Sequence, residues 1–220
     1  MRKEYEVRQF SEQGSWESGI SNYWGNVLFQ RCLKSQLFRE KLNEAIVDLK
    51  ENYLTEETLH TMIEGYEAVV KPFAYSMPDQ MNEPVTEEQY DEIADKIPEE
   101  VETNYELYQE SLEKPMPFYI ETPTIEDGKL KLSWDVSYDL DAEDITYTVE
   151  LAGDYQFQDI IYSSKDLLLP EAETDIPEAG QYFIRVRATN KSGYTQDVFD
   201  YYVTDAGKKL WYEMFLYHRG

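Results

Sequence analysis

The spacing of apolar residues changes near Lys114, and this change constrains the fold more than any other feature of the sequence. Before it, apolar residues recur every three or four positions, which is typical of amphipathic helices. After it, Leu130 to Tyr138 alternate apolar and polar residues, which is the pattern of a half-buried strand. Pro115 and Pro117 stand at the change and cannot continue a helix. The sequence therefore predicts a chain of two modules with different secondary structure.

The first module is predicted to be all-α and to occupy residues 1–114, with 1–20 as a poorly ordered lead-in. Ser35 and Thr55 are in position to cap helices, and Thr86-Glu87-Glu88-Gln89 has the spacing of a capping box. Pro98 is expected to break or kink the helix that the capping box starts. The predicted helices are 21–33, 35–53, one from Thr55 to the prolines at 72 and 78, 86–97, and 99–114.

The second module, residues 115–220, is predicted to be an antiparallel β-sandwich. Asp127-Gly128 and Asn190-Lys191-Ser192-Gly193 are turn sequences between alternating segments. No helix separates one strand from the next, so a parallel sheet is not indicated. The apolar C-terminal segment from Leu210 to Tyr217 is too short to span a bilayer, and we expect it to add a further strand. The predicted fold class is thus α+β, with the α and β parts in series.

The formal net charge of −25 excludes some partners. Such a field repels phosphate backbones and anionic headgroups at long range, so nucleic acid and membrane insertion are not expected. Cations, proteins and neutral glycans remain possible partners. A single cysteine, Cys32, permits no intrachain disulfide. The segment that starts at Met1 lacks the apolar core of a signal peptide, so we expect either a cytosolic protein or a piece of a longer chain whose export signal lies upstream.

Residues 117–204 resemble the fibronectin type III fold. Trp134 matches the buried tryptophan of the second strand, and Tyr182 in Ile176-Pro177-Glu178-Ala179-Gly180-Gln181-Tyr182 matches the tyrosine corner. Arg185 to Gly193 is similar to the sixth strand and the turn after it. The resemblance implies the fold and no ligand, because this fold carries many functions.

The whole chain also resembles the C-terminal part of CotH-kinase-like bacterial proteins, a family related to a spore-coat kinase. Trp24 to Phe29, Phe38-Arg39, Trp134 to Asp139 and Gly180 to Val186 carry the resemblance. It implies a kinase-like core upstream of residue 1 and an extracellular location at a cell or spore surface. The kinase motifs themselves are missing from the sequence: there is no Gly-rich phosphate loop, His-Arg-Asp or Asp-Phe-Gly. We therefore expect no catalytic or cofactor-binding residue in this chain.

The sharpest candidate for a site is the acidic segment from Asp139 to Asp144. Asp139, Asp141 and Asp144 are the residues that would supply oxygen ligands to Ca²⁺ in a loop between strands. The alternative is a solvated turn in which the aspartates accept hydrogen bonds from backbone amides. His60 and His218 lack partners at zinc-ligand spacing.

Glycan binding is the second candidate, because several aromatic rings near the C-terminus could stack on sugars. The alternative is that these rings fill the core of the module. The rings are Tyr194, Tyr201, Tyr202, Trp211 and Tyr212.

Three functions follow from these features. The first is a non-catalytic spacer or protein-interaction module in an exported CotH-kinase-like protein, with a protein partner at the cell or spore surface. The second is an accessory module that binds glycan or Ca²⁺ in a secreted carbohydrate-active protein. The third is the helical part of a kinase-like catalytic lobe.

Overall fold

The computed structural model of the chain describes residues 4–9, 27–74, 76–77, 81, 86–204 and 206–219. Apart from a strand at Glu4–Gln9, helices occupy the described N-terminal half and antiparallel strands the C-terminal half, as the periodicity predicts. The helices are α1 Val27–Leu33, α2 Gln36–Asn52, α3 Glu56–Ala74 and α4 Glu87–Glu113.

The chain divides into two compact units, and the division differs from the linear one that the sequence suggests. One unit, here the helical unit, comprises Arg31–Glu110, and the other, the β unit, comprises Met1–Gln30 together with Ser111–Gly220. The division falls inside α4, three residues before its end. Periodicity could not show this, because it reports local conformation and not which segments pack together.

The helices start where the sequence places their caps. Ser35 Oγ accepts a hydrogen bond from Phe38 N at 3.4 Å, and Thr55 Oγ1 accepts one from Thr58 N at 3.2 Å. The capping box before α4 is reciprocal: Gln89 N donates to Thr86 Oγ1 at 3.2 Å, and Thr86 N donates to Gln89 Oε1 at 2.9 Å. Each pair satisfies amides that have no partner within the first helical turn.

The predicted break at Pro98 is wrong, because α4 runs through it as one helix. An internal proline removes one backbone hydrogen bond and costs about 3 kcal/mol, so neighbouring contacts must offset it. Such contacts with α2 lie on the C-terminal side: Glu102 pairs with Lys50 at 2.7 Å, and Gln109 donates to Asn43 at 2.7 Å. Helix α3 likewise continues two residues past Pro72.

The β unit contains two antiparallel sheets. The larger has the strand order β1-β10-β7-β4-β5, with β8 also paired to β7 and β9 to β10, and the smaller has the order β2-β3-β6. The strands are β1 Glu4–Gln9, β2 Thr124–Glu126, β3 Lys129–Ser133, β4 Ile145–Ala152, β5 Ile160–Leu167, β6 Glu171–Asp175, β7 Gly180–Asn190, β8 Thr195–Asp197, β9 Tyr201–Val203 and β10 Lys209–Arg219.

The predicted lead-in contains strand β1, which pairs with β10 from Glu4–Arg219 to Gln9–Met214. Six residues of a polar segment gave no strong local signal for a strand. Their partner lies more than 200 positions later in the chain, so the pairing is a tertiary property. The part of the predicted first helix before Val27 lies outside the described residues.

Two strand boundaries also differ from prediction. The expected strand over 118–125 is reduced to β2, preceded by an isolated bridge between Ile120 and Trp134. The expected strand over 198–203 is reduced to β9, and β8 ends just before the predicted start; residues 198–200 between them belong to neither strand. The extra C-terminal strand is present as β10 and is longer than the apolar segment that predicted it.

One hydrophobic cluster joins residues of both sheets. Leu130, Leu132 and Trp134 contribute from the β3 side, while Val149, Ile184, Val186 and Met214 contribute from the larger sheet. Within β7, Tyr182, Ile184, Val186 and Ala188 are buried at alternate positions as predicted, but Phe183, expected on the opposite face, is buried as well. The Asp127-Gly128 turn has positive φ at both residues (50° and 78°), as this turn type requires.

Candidate functional site

The acidic loop between β3 and β4 is organised by hydrogen bonds from the protein itself. Asp139 Oδ1 accepts from Asp141 N at 2.8 Å, and Asp139 Oδ2 accepts from Asn190 Nδ2 at 2.8 Å. Glu143 accepts from both the amide and the hydroxyl of Ser192, at 2.8 and 2.6 Å. Asp139 Oδ1 thus closes the loop on itself, while Asp139 Oδ2 and the carboxylate of Glu143 join the loop to Asn190 and the turn after β7.

The three aspartates proposed as calcium ligands occupy different environments. Asp139 is half-buried, whereas Asp141 and Asp144 are exposed. No group of three or more His, Cys, Asp or Glu side chains placed to hold a metal ion occurs in the described part of the chain. The calcium site at Asp139, Asp141 and Asp144 stays a prediction, and the geometry supports the alternative of a hydrogen-bonded turn.

The five aromatic residues considered for glycan stacking differ in exposure. Tyr194 is exposed and Tyr201 is half-buried, whereas Trp211 is 7% exposed and Tyr212 is fully buried. The side chain of Tyr202 lies outside the described residues. Of the four whose side chains the structure describes, Tyr194 and Tyr201 retain ring surface that a solute could reach.

Aromatic and cationic side chains of the β unit alternate in a row that we call the cation–aromatic ladder. In order along it are Phe157, Arg185, Trp211, Lys209 and Tyr201. The Arg185 guanidinium lies 4.3 Å from the Phe157 ring and 5.9 Å from the Trp211 ring. Lys209 Nζ lies 4.0 Å from the Trp211 ring and 3.9 Å from the Tyr201 ring. Such contacts are attractive because the faces of the rings carry negative partial charge.

Strand register explains why these side chains meet. Trp211 pairs with Tyr201 across β10 and β9, and the two rings are 5.6 Å apart with an edge-to-face geometry. Lys209 lies two residues before Trp211 and therefore projects from the same face of β10. This placement brings the Lys209 ammonium between the two rings.

The cations of the ladder differ in their partners. Arg185 pairs with Glu150, and Arg187, beside the ladder, binds Asp197 through two nitrogens at 2.7 and 3.2 Å. Lys209 forms no ion pair within the described ranges. Although Lys209 as a residue is exposed, its ammonium lies against two rings, and this burial lowers the pKa of Lys209.

A buried carboxylate, Asp200, lies next to the segment that precedes β2. Asp200 is 1% exposed, and its Oδ2 accepts a hydrogen bond from Ile120 N at 2.6 Å. Its Oδ1 has no hydrogen-bond partner. Burial raises the pKa of Asp200 to about 6, and the Ile120 amide offsets part of that rise.

The helical unit leaves an apolar stripe exposed on α3. Met62, Tyr66, Val69 and Phe73 follow the spacing +4, +3, +4, and they are 48%, 64%, 63% and 66% exposed. We call these four residues the α3 stripe. The sequence predicts an apolar stripe on this helix, with Leu59 as its first residue; Leu59 is buried, but the later positions remain open to solvent.

Tyr201 and Trp211 were predicted from the sequence as candidate ligand contacts, whereas Lys209 and Arg185 were not. The signal existed for Lys209, because Lys209-Leu210-Trp211 puts a cation and a ring on one face of any strand. Arg185 could not be found in this way, since its neighbour Trp211 lies on a different strand.

Comparison with known proteins finds one family model that matches the N-terminal part of the chain. The family model described as "CotH kinase protein" matches residues 2–108, just under half of the chain. The resemblance to the CotH family that the sequence suggests is thereby confirmed for this part. No curated protein matches the chain.

Among solved structures, the twitchin kinase region from C. elegans (Fn31-NL-kin-CRD-Ig26) aligns with 44% of this chain at 20% identity. The aligned part is 20% of that chain, and the TM-score is 0.30. At this TM-score the alignment carries no argument about fold or function.

Proposed function

We propose that this chain, whose residues 2–108 match the CotH kinase family, is the non-catalytic protein-interaction region of an exported CotH-kinase-like protein. Its place would be a bacterial cell surface or spore coat, and its partner another protein. The observation that carries the proposal is the α3 stripe, because soluble proteins seldom expose a contiguous apolar row without a partner.

The stripe has the chemistry of a helix-binding surface. Its heptad-like spacing is that of side chains that insert between the side chains of a facing helix. At 100° per residue, Glu57 and Glu64 fall on a different face of α3, so the stripe itself carries no charge. Association here would remove apolar surface from water without burying an unpaired charge.

We propose that the β unit serves as a fibronectin-type-III-like spacer. Three features support this: the strand orders β2-β3-β6 and β10-β7-β4-β5, the buried Trp134 just after β3, and a hydrogen bond at Tyr182. Tyr182 Oη donates to the Glu178 carbonyl at 2.8 Å, which is the backbone contact of a tyrosine corner.

The interaction role is tested by photocrosslinking in the producing cell. A photoreactive phenylalanine analogue at Tyr66 or Phe73 is expected to capture the same protein, identified by mass spectrometry. The matched control places the analogue at Glu57 on the other face, where we expect no product. Equal capture from all three positions, or none from any, would contradict the proposal.

A second candidate is the helical part of a kinase-like catalytic lobe, which the family match favours. Isothermal titration of ATP and Mg²⁺ into the chain separates the two functions. We expect no binding. A saturable ATP isotherm would replace the non-catalytic proposal with the catalytic one.

A further inference from the structure

A cavity of about 280 Å³ lies in the β unit beside the ladder. The segment after α4 forms one wall, with Pro115 and Pro117, and the chain from Thr195 to Phe199 forms another. Tyr201 and Lys209 complete the lining. The volume is near the lower end of the range of roughly 300–1,000 Å³ for ligand pockets, so the cavity fits a molecule of monosaccharide size.

The charge of this cavity is opposite to that of the whole chain. Asp197 lines it, but its carboxylate is held by two nitrogens of Arg187. Lys209 lines it and forms no ion pair within the described ranges, although the carboxylate of Asp197 attracts its ammonium, and Lys114 is also in the lining. A locally positive cavity on a chain of net charge −25 selects an anionic ligand over the neutral and cationic molecules around it.

The Lys209 ammonium is already partly desolvated and restricted before an anion binds. The rings of Tyr201 and Trp211 hold it at 3.9 and 4.0 Å and displace part of its water. An anion that pairs with it therefore removes less water than it would at a fully solvated lysine. The rings also restrict the side chain, so less conformational entropy is lost on binding.

The remaining lining limits the class of anion. A single unpaired ammonium together with the carboxylate of Asp197 suits one negative charge better than the two of a phosphate monoester. The Thr195 hydroxyl and the Gln196 amide offer hydrogen-bonding groups, while Pro115, Pro117 and Phe199 offer apolar surface. This is the combination that a sugar ring with hydroxyl groups and apolar C–H faces requires.

We propose that this cavity binds a small carboxylate-bearing sugar of the uronic acid class, with its carboxylate on Lys209 Nζ. The site is independent of the α3 stripe and of the family match, so its failure would leave the proposed function standing. It gives the β unit a ligand-binding role that its fold alone does not imply.

We would titrate sodium galacturonate into the full chain and monitor binding by calorimetry and by amide chemical shifts. We expect saturable binding, with the largest shifts at Thr195 to Val198, and no binding of galactose, which lacks the carboxylate. Inorganic phosphate should bind more weakly than galacturonate. Equal affinity for phosphate and galacturonate would show a general anion site and would overturn the uronate assignment.

Variants at Lys209 localise the effect. Lys209→Gln should weaken galacturonate binding by about tenfold or more, since a hydrogen bond to a charged group is lost. Lys209→Arg keeps the charge and should retain binding even if the glutamine variant is less stable. Lys191→Gln, in the exposed turn after β7, is the charge-matched control and should bind as the parent does. An unchanged affinity of Lys209→Gln for galacturonate would contradict the proposal.

Discussion

Asn190 Nδ2 donates a 2.8 Å hydrogen bond to Asp139 Oδ2 and thereby joins the turn after β7 to the acidic loop before β4. The same amide group donates to the Glu113 carbonyl at 2.8 Å, and Asn190 Oδ1 accepts from Tyr194 N at 2.8 Å. Asn190 is buried, so each of these bonds replaces water that the folded chain excludes. Asp139, which the sequence predicts as a calcium ligand, is therefore a carboxylate that stabilises the fold.

Asp139→Ala is expected to lower the free energy of unfolding by about 1–3 kcal/mol, because it leaves a buried amide donor of Asn190 without an acceptor. Asp144→Ala, at an exposed position of the same loop, should change it by less than about 0.5 kcal/mol. Urea denaturation measures both. Millimolar Ca²⁺ should not raise the melting temperature of the parent; a rise that Asp139→Ala abolishes would establish the metal site instead.

The raised pKa of Asp200 should make the free energy of unfolding depend on pH in an unusual direction. Its pKa is about 6 in the folded protein and near 4 when unfolded, so between these values the folded state binds more protons. The contribution of Asp200 to the free energy of unfolding therefore falls as pH rises from about 4 to 6. The total change is about 3 kcal/mol. Many other carboxylates titrate in the same range, so the measured quantity is the difference between the parent and Asp200→Asn. A difference that does not vary between pH 4 and 7 would contradict the prediction.

Tyr182→Phe removes the hydrogen bond to the Glu178 carbonyl and little else, because the ring keeps its place in the core. The free energy of unfolding should fall by about 0.5–1.5 kcal/mol. Tyr194→Phe, at an exposed tyrosine, serves as the control and should be nearly neutral. Equal stability of Tyr182→Phe and the parent would show that this bond only replaces one to water.

Removal of residues 1–9 deletes β1 and turns β10 into an edge strand. Amides of β10 from Tyr217 to Arg219 should then lose protection in hydrogen exchange, since these residues pair with β1 but not with β7. Amides of β4, which pairs with β5 and β7, should exchange as in the full chain. Unchanged exchange in β10 would mean that β1 does not pair in solution.

The prediction of helices and strands succeeded where one local interaction decides the outcome. The caps at Ser35, Thr55 and Thr86 act within four residues, so the sequence alone locates the starts of three helices. The Asp127-Gly128 turn is local in the same way. The prediction of a break at Pro98 failed. An internal proline does destabilise a helix, but the sequence does not show the contacts with α2 that offset this.

The candidate sites show the same limit. Alternation along β10 puts Lys209 and Trp211 on one face, and this much can be read from three consecutive residues. That Tyr201 lies opposite Trp211 depends on the β9–β10 register, and the place of Arg185 depends on the pairing of β10 with β7. Residues far apart in the chain become neighbours only when the sheet forms.

The sequence by itself determined the change from helices to strands, the helix caps, the main turns and the acidic character of the chain, because each depends on residues within about one turn or on a simple sum. Only the tertiary structure decided that β1 joins the C-terminal sheet, that Asp200 is buried, and that Lys209 lies between two rings beside a cavity. These features depend on long-range pairing and on burial, whose free energies come from contacts that no local window contains.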